Sequence, residues 1–148
     1  MPKPPPSSSR FWKLVNVGTA LNVFAYRRSG GKLGGKLGKA PVLLLHHVGR
    51  KSGSARVTPL LYLDDGERLV IVASKGGTDK NPAWYYNLMA MAATEVEVGR
   101  DRRRVRPRLA SDEERAGYWP RLVAIYPAYE QYASYTSRTI PIVVLEPA

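Results

Sequence analysis

The segment Val42–Gly53, VLLLHHVGRKSG, runs from buried-type residues into two histidines, two cations, a hydroxyl and two glycines. Arg50 can grip a phosphate through paired N–H bonds, Lys51 adds a point charge, and Ser52 adds a hydroxyl donor. Gly49 and Gly53 let the backbone turn and approach a ligand closely. The same residues also suit a solvated hairpin turn, so the segment alone does not decide. Its neighbours do more. Arg56 lies just beyond, Pro59 interrupts the following strand, and Ser74-Lys75-Gly76-Gly77 brings another hydroxyl, cation and flexible backbone to a third strand end. Cations, hydroxyls and glycines at several strand ends predict one anion-holding cleft.

Tyrosines form a second constellation. Tyr118, Tyr126, Tyr129, Tyr132 and Tyr135 fall in the last helical region, and Trp84, Tyr85 and Tyr86 on a short central helix. The three-residue spacing from Tyr126 onward puts neighbours near one helix face. Such a face packs on a core or walls a flat, partly polar ligand.

Other chemistries find no support. His46 and His47 are adjacent in a strand, so they point to opposite faces and do not share a metal. We read them as partly buried strand residues, one of which could lie near a ligand. Ser52, Ser54 and Ser74 lack a Gly-x-Ser-x-Gly setting. Gly30 to Lys36 has the spacing of a phosphate-binding loop, but Leu37 stands where Ser or Thr would bind magnesium. In Arg100–Arg108, RDRRRVRPR, the arginines at 104, 106 and 108 share a strand face, and Glu95 and Glu97 stand on the expected partner strand. Ion pairing explains much of that run, and no nucleic-acid-binding signature accompanies it.

The elements that must position these groups follow from composition and pattern. The 148 residues suit one core, the absence of cysteine removes disulfides and thiolate sites, and a net charge of +11 favours an anionic partner. Residues 1–28 read as a Pro/Ser-rich disordered tail and an amphipathic helix from Phe11 to Arg28, and residues 29–148 as one domain. The helix packs on that domain or, through residues 10–28, touches an anionic membrane surface from the cytoplasmic side; it is too interrupted to span a bilayer. Strands are expected at Val42–Val48, Arg56–Leu63, Arg68–Ser74, Thr94–Gly99, Arg102–Leu109 and Thr139–Glu146, with a hairpin turn at Asp65-Gly66. Pro59 marks its strand as an edge or a bulge. Asn81 and Pro82 open the short helix, Ser111 to Glu114 form a capping box, and Pro120 and Pro127 break the last helical stretch. Six antiparallel strands with few helices predict a mainly β, α+β fold: a small barrel.

GRKSGSARVTPLLY, VASKGG, KNPAWYYNL and YWPRLVAIYPAYEQYASYTSRTIPIVV, spread in order over Phe24 to Pro147, resemble the deazaflavin-dependent nitroreductase family of actinobacteria. The resemblance implies a split β-barrel like that of flavin-mononucleotide-binding oxidoreductases. It also implies the 5-deazaflavin coenzyme F(420), whose phosphate and oligoglutamate tail give the basic composition a reason. It places Arg50, Lys51 and Ser52 at the phosphate. Arg56, Val57, Thr58, Pro59, Leu60 and Leu61, with Val72, Ala73, Ser74 and Lys75, would line the deazaflavin, and Ala83, Trp84, Tyr85, Tyr86 and Asn87 continue the groove. Tyr129 closes over the ring as the candidate proton donor, with Tyr126 and Tyr132 near the acceptor and Ser74 beside them in the candidate catalytic set. The implied reaction is hydride transfer from the reduced deazaflavin to a quinone or to a nitroaromatic or nitroimidazole compound. A non-catalytic deazaflavin carrier is the alternative, and a basic nucleic-acid-binding barrel is a more distant one. Two departures stand out. Leu61 occupies the place of a tyrosine in the nitroimidazole-reducing members, with Tyr62 one residue later on the other strand face. MAMAAT replaces the expected turn after the short helix.

Overall fold

The computed structural model describes residue 4 and residues 21–32, 35–37 and 40–148. The tail and the start of the helix expected at Phe11 lie, apart from Pro4, outside the described residues. Residues 21–29 are helical and are called α1. There follow β1 (Lys36–Leu37), β2 (Ala40–Val48), β3 (Ala55–Asp65), β4 (Arg68–Val72), a 3-10 turn (Lys75–Gly77) and α2 (Ala83–Met89). The chain continues through β5 (Thr94–Val98), β6 (Asp101–Leu109), α3 (Asp112–Ile125), α4 (Ala128–Ser134) and β7 (Ile142–Pro147).

The strands run in the order β1-β2-β3-β4-β7-β6-β5, and β2 also pairs with β5. That last pairing, Leu44 opposite Glu97 and Leu45 opposite Val96, closes β2 to β7 into a six-stranded antiparallel barrel. Alternation along each strand decides what fills it. Leu43 and Leu45 of β2, Leu69 and Ile71 of β4, Val96, Val105, and Val143 and Leu145 of β7 make one buried cluster inside the barrel, joined by Trp84 and Leu88 of α2. The opposite faces are covered as well. Leu63, Val70, Val72, Ile142 and Val144 pack with Tyr118, Leu122 and Tyr129 of α3 and α4, and Val42 and Leu44 pack with Tyr26 of α1. Burial on both faces is why β2 and β4 read as nearly continuous apolar runs.

Several expected details move. The turn between β3 and β4 is Gly66-Glu67, with Asp65 still paired to Arg68 and Gly66 at φ 71°. Pro82, not Asn81, caps α2, because the Asn81 side chain is taken by Arg138. Pro120 sits inside α3 without ending it, whereas Pro127 does separate α3 from α4. The capping box forms as expected: Ser111 accepts from the Glu114 N–H, and Glu114 accepts from the Ser111 N–H. Cross-strand pairing of the arginine run is partial. Arg102 meets Glu95 at 2.7 Å, but Glu97 turns to Arg27 and His46, and Arg108 binds Glu114 and Glu146. The described part of α1 docks on the barrel: the Tyr26 hydroxyl donates to the Glu97 carbonyl and accepts from the Gly99 N–H at 2.7 Å.

Candidate functional site

Strand β3 is only half covered. It pairs with β2 from Ala55 to Leu61, but with β4 only from Tyr62 to Asp65. Pro59 is therefore not on an edge strand; it lies where β3 is paired on one side alone. Over residues 55–61 the side of β3 away from β2 has no strand partner, and this uncovered side is the candidate groove. The β2–β3 connection lies at one end of this groove. The Gly49 N–H donates to the Ser54 carbonyl at 2.9 Å, the Gly53 N–H returns to the Gly49 carbonyl at 2.7 Å, and Gly53 has φ 72°. A Cβ at Gly49 would meet Ser52 Oγ at 2.5 Å and Arg56 Nε at 3.3 Å, so glycine lets the hydroxyl and the guanidinium converge on the loop. Arg50, Lys51, Ser52 and Arg56 are exposed. Among the described residues none of the three cations has an ion-pair partner, while acids elsewhere are engaged by Arg27, Arg68, Arg102, Arg108 and Arg121.

A chain of contacts ties this loop to the next strand end. Arg50 lies over the Tyr86 ring, 5.1 Å from its centroid. Asn81 Nδ2 donates to the Tyr86 hydroxyl at 3.3 Å, and Asn81 Oδ1 accepts from Arg138 at 2.5 Å. The Arg138 guanidinium also donates to the carbonyls of Ala73 at 3.2 Å, Ser74 at 2.7 Å and Thr78 at 2.9 Å. One side chain from beyond α4 thus shapes the whole 73–81 turn. Within that turn Ser74 is right-handed and Lys75 has φ 45°, the one positive φ at a non-glycine residue among those described. A right-handed residue followed by a left-handed one turns successive N–H groups inward, as anion-holding backbones do. Holding a lysine there costs on the order of 1 kcal/mol. Burial pushes the Lys75 ammonium below its usual range, with Asp79 opposing the shift.

The tyrosines close the far side. Gly77 has φ 79°, and a Cβ there would collide with the backbone of Tyr132, so α4 sits directly on the turn. The Tyr126 and Tyr132 hydroxyls hydrogen-bond at 2.9 Å. The Tyr129 ring packs edge-on against Tyr126 with centroids 5.0 Å apart and lies 6.3 Å from Trp119. Tyr129 is buried, and burial lifts its phenol well above the ordinary range; it is a neutral hydroxyl able to donate. Among the described residues none hydrogen-bonds it. Leu61 packs into this cluster, whereas Tyr62 points into the barrel.

Not every expected residue offers its side chain to the groove. Val57 packs under α1, Leu60, Ala73 and Trp84 pack with the barrel interior, and Val72 packs with the α3–α4 side. These present backbone at most. Asn87 is buried, its Oδ1 accepting from the Arg50 N–H at 3.0 Å. Arg138 is the residue that the sequence gives no reason to single out, and Gly77 and His47 have contacts that it does not disclose. Arg138 stood in plain view in a loop, but only the fold reveals its partners. A polar cleft lined by Asp65, Glu67, Arg68, Glu146 and Pro147 lies elsewhere, and Arg68 and Glu146 pair there at 3.1 Å.

The family model for F(420)H(2)-dependent quinone reductases matches residues 19–147. The chain is 42% identical over 125 residues to an F(420)H(2)-dependent quinone reductase of Mycobacterium tuberculosis, covering 81% of this chain and 83% of that protein. Among solved structures, an F(420)H(2)-dependent reductase superposes with TM-score 0.66 at 36% identity, covering 72% of this chain and 94% of that one. A chain described as a domain-swapped dimer superposes with TM-score 0.68 at 30% identity, covering 86% and 95%.

Proposed function

The chain belongs to the F(420)H(2)-dependent quinone reductase family, and from that premise we propose an oxidoreductase that takes a hydride from the reduced deazaflavin coenzyme and delivers it to a quinone. The observation that carries the site assignment is the split between β3 and β4, flanked by uncompensated cations at one end and a hydroxyl-bearing aromatic wall at the other. When bound, the coenzyme supplies the hydride; the chain's residues bind, orient and exclude water.

The residues present suit such a group. Arg50, Lys51, Ser52 and Arg56 would hold its phosphate, with Tyr86 fixing the direction of Arg50. The uncovered backbone of residues 55–61 and the inward N–H groups around Ser74 and Lys75 would meet the polar edge of a flat ring. Tyr129 would shield the ring and donate a hydrogen bond to the acceptor oxygen as negative charge builds there, with Tyr126 and Tyr132 holding its position.

Quinones come ahead of nitro compounds in this reading, because Leu61 offers the acceptor side an apolar surface and Tyr62 is committed to the barrel interior. The same site without a productive acceptor would be a carrier. Exposed Leu21 and Phe24 beside Arg27 and Arg28 suit contact with an anionic bilayer, where lipid-soluble quinones reside. No helix among the described residues is long and apolar enough to cross a membrane.

Separate titrations with the deazaflavin, flavin mononucleotide and an oligonucleotide test the ligand. Tight deazaflavin binding is expected. Binding of flavin mononucleotide without the deazaflavin would overturn the cofactor assignment.

A further inference from the structure

His47 lies inside the barrel end, beneath α2, on the same strand face as Leu43 and Leu45. It is 4% exposed, and both ring nitrogens are used. Nε2 lies 2.8 Å from Thr58 Oγ1, and Nδ1 lies 3.1 Å from Asn87 Nδ2. Asn87 Oδ1 in turn accepts from the Arg50 N–H. The order of donors follows from chemistry alone. The Arg50 N–H must donate, so the facing atom of Asn87 is its oxygen and the other is the amide nitrogen. That nitrogen donates, so His47 Nδ1 carries no proton. The proton sits on Nε2 and is given to Thr58 Oγ1.

We propose that His47 is a positioning residue for the anion-gripping loop: as a neutral imidazole of fixed tautomer it orients Asn87, which anchors the Arg50 backbone, and at the same time sets Thr58 on the uncovered stretch of β3. The relay joins both walls of the groove, Gly49–Gly53 and Ala55–Leu61, through one ring. Rotating the Asn87 amide would set its NH2 against the Arg50 N–H, so only one arrangement satisfies every group. Burial first, then Arg56 and His46, lower the His47 pKa to about 4, which keeps the ring neutral in ordinary conditions. This inference deepens the proposed function and rests on it only for the coenzyme-binding arm of its test.

Two measurements examine it. Amide hydrogen exchange by NMR on the ligand-free protein reads the Arg50 N–H directly. Fluorescence titration with the deazaflavin reads the consequence. His47→Leu is expected to speed Arg50 exchange and weaken deazaflavin binding by about tenfold each. Asn87→Leu should do the same, and the double variant should be no worse than either. His47→Asn, whose Oδ1 can accept from Asn87, should recover most of both losses, which a general packing defect would not do. Unchanged Arg50 exchange in His47→Leu, no recovery in His47→Asn, or additive effects would each overturn the relay. If His47→Leu fails to fold, Asn87→Leu and His47→Asn carry the test. Failure of the wild-type protein to bind the deazaflavin would instead overturn the functional reading, while the exchange arm still reports on the relay.

Discussion

The Arg138 guanidinium donates to the Ser74 carbonyl at 2.7 Å, across 64 residues of chain. It reaches Ala73, Thr78 and Asn81 as well, so removing it leaves several backbone carbonyls of one turn without their donor. Arg138→Ala should lower stability by about 2 kcal/mol or more. Arg138→Lys should recover only part of this, because an ammonium cannot reproduce the planar fork. Denaturant unfolding of both variants checks the order: Ala weakest, Lys intermediate.

Arg50 and Lys51 are exposed and without acidic partners among the described residues, which suits an anion from outside the chain. Arg50→Ala and Lys51→Ala should each weaken deazaflavin binding by about tenfold and flatten its dependence on salt. A larger loss for Arg50 is expected, since it also loses its seat over Tyr86. Titrations at two salt concentrations give both quantities.

The Tyr129 hydroxyl is neutral and has no described partner, whereas Tyr126 and Tyr132 satisfy each other. Tyr129→Phe keeps the ring and removes the donor. Turnover with a quinone should fall about tenfold or more with little change in coenzyme affinity. Steady-state kinetics separate the two. Unchanged turnover and unchanged acceptor affinity would remove the tyrosine from the reaction.

His47 makes folding depend on pH in a defined window. Its ordinary value of 6.5 falls to about 4 in the folded protein. Between those values the unfolded chain binds a proton that the folded one refuses. The stability tied to the neutral ring is therefore complete above pH 6.5 and is lost as pH falls toward 4. From pH 7 to pH 5 this amounts to about 2 kcal/mol. Glu114, held at about 2 chiefly by Arg108, acts in the same direction but at lower pH. Urea unfolding of the wild type and His47→Leu at both pH values should show the wild type losing about 2 kcal/mol more than the variant.

How much the sequence disclosed depended on range. The apolar runs of β2, β4 and β7, the Gly66 turn and the Ser111–Glu114 capping box are local, and they are legible from neighbours within a few positions. The gripping loop was legible as residue types, Gly49 to Gly53 with Arg56. What escaped was contact between distant segments. Arg138 meets Ala73 to Asn81 from nearly sixty or more positions away, and nothing in RTIP announces it. His47 reads from the sequence as a partly buried strand residue and no more, because its partner Asn87 lies forty residues on. Asn81 resembled a helix cap, and Arg138 won the competition for it. Pro59 points to an edge or a bulge, whereas β3 is an inner strand that pairs with β2 at Pro59 and is open toward β4 over residues 55–61, which only the pairing pattern discloses.

Hydride delivery to a quinone is the reaction proposed for this split barrel. The direct test is steady-state oxidation of the reduced deazaflavin by purified protein, followed by its absorbance, against a panel of quinones and nitroimidazoles. Saturable oxidation with at least one quinone, and weaker or no turnover with nitroimidazoles, is the result predicted. Tight binding of the reduced coenzyme with no oxidation by any quinone would contradict it and leave a carrier in its place.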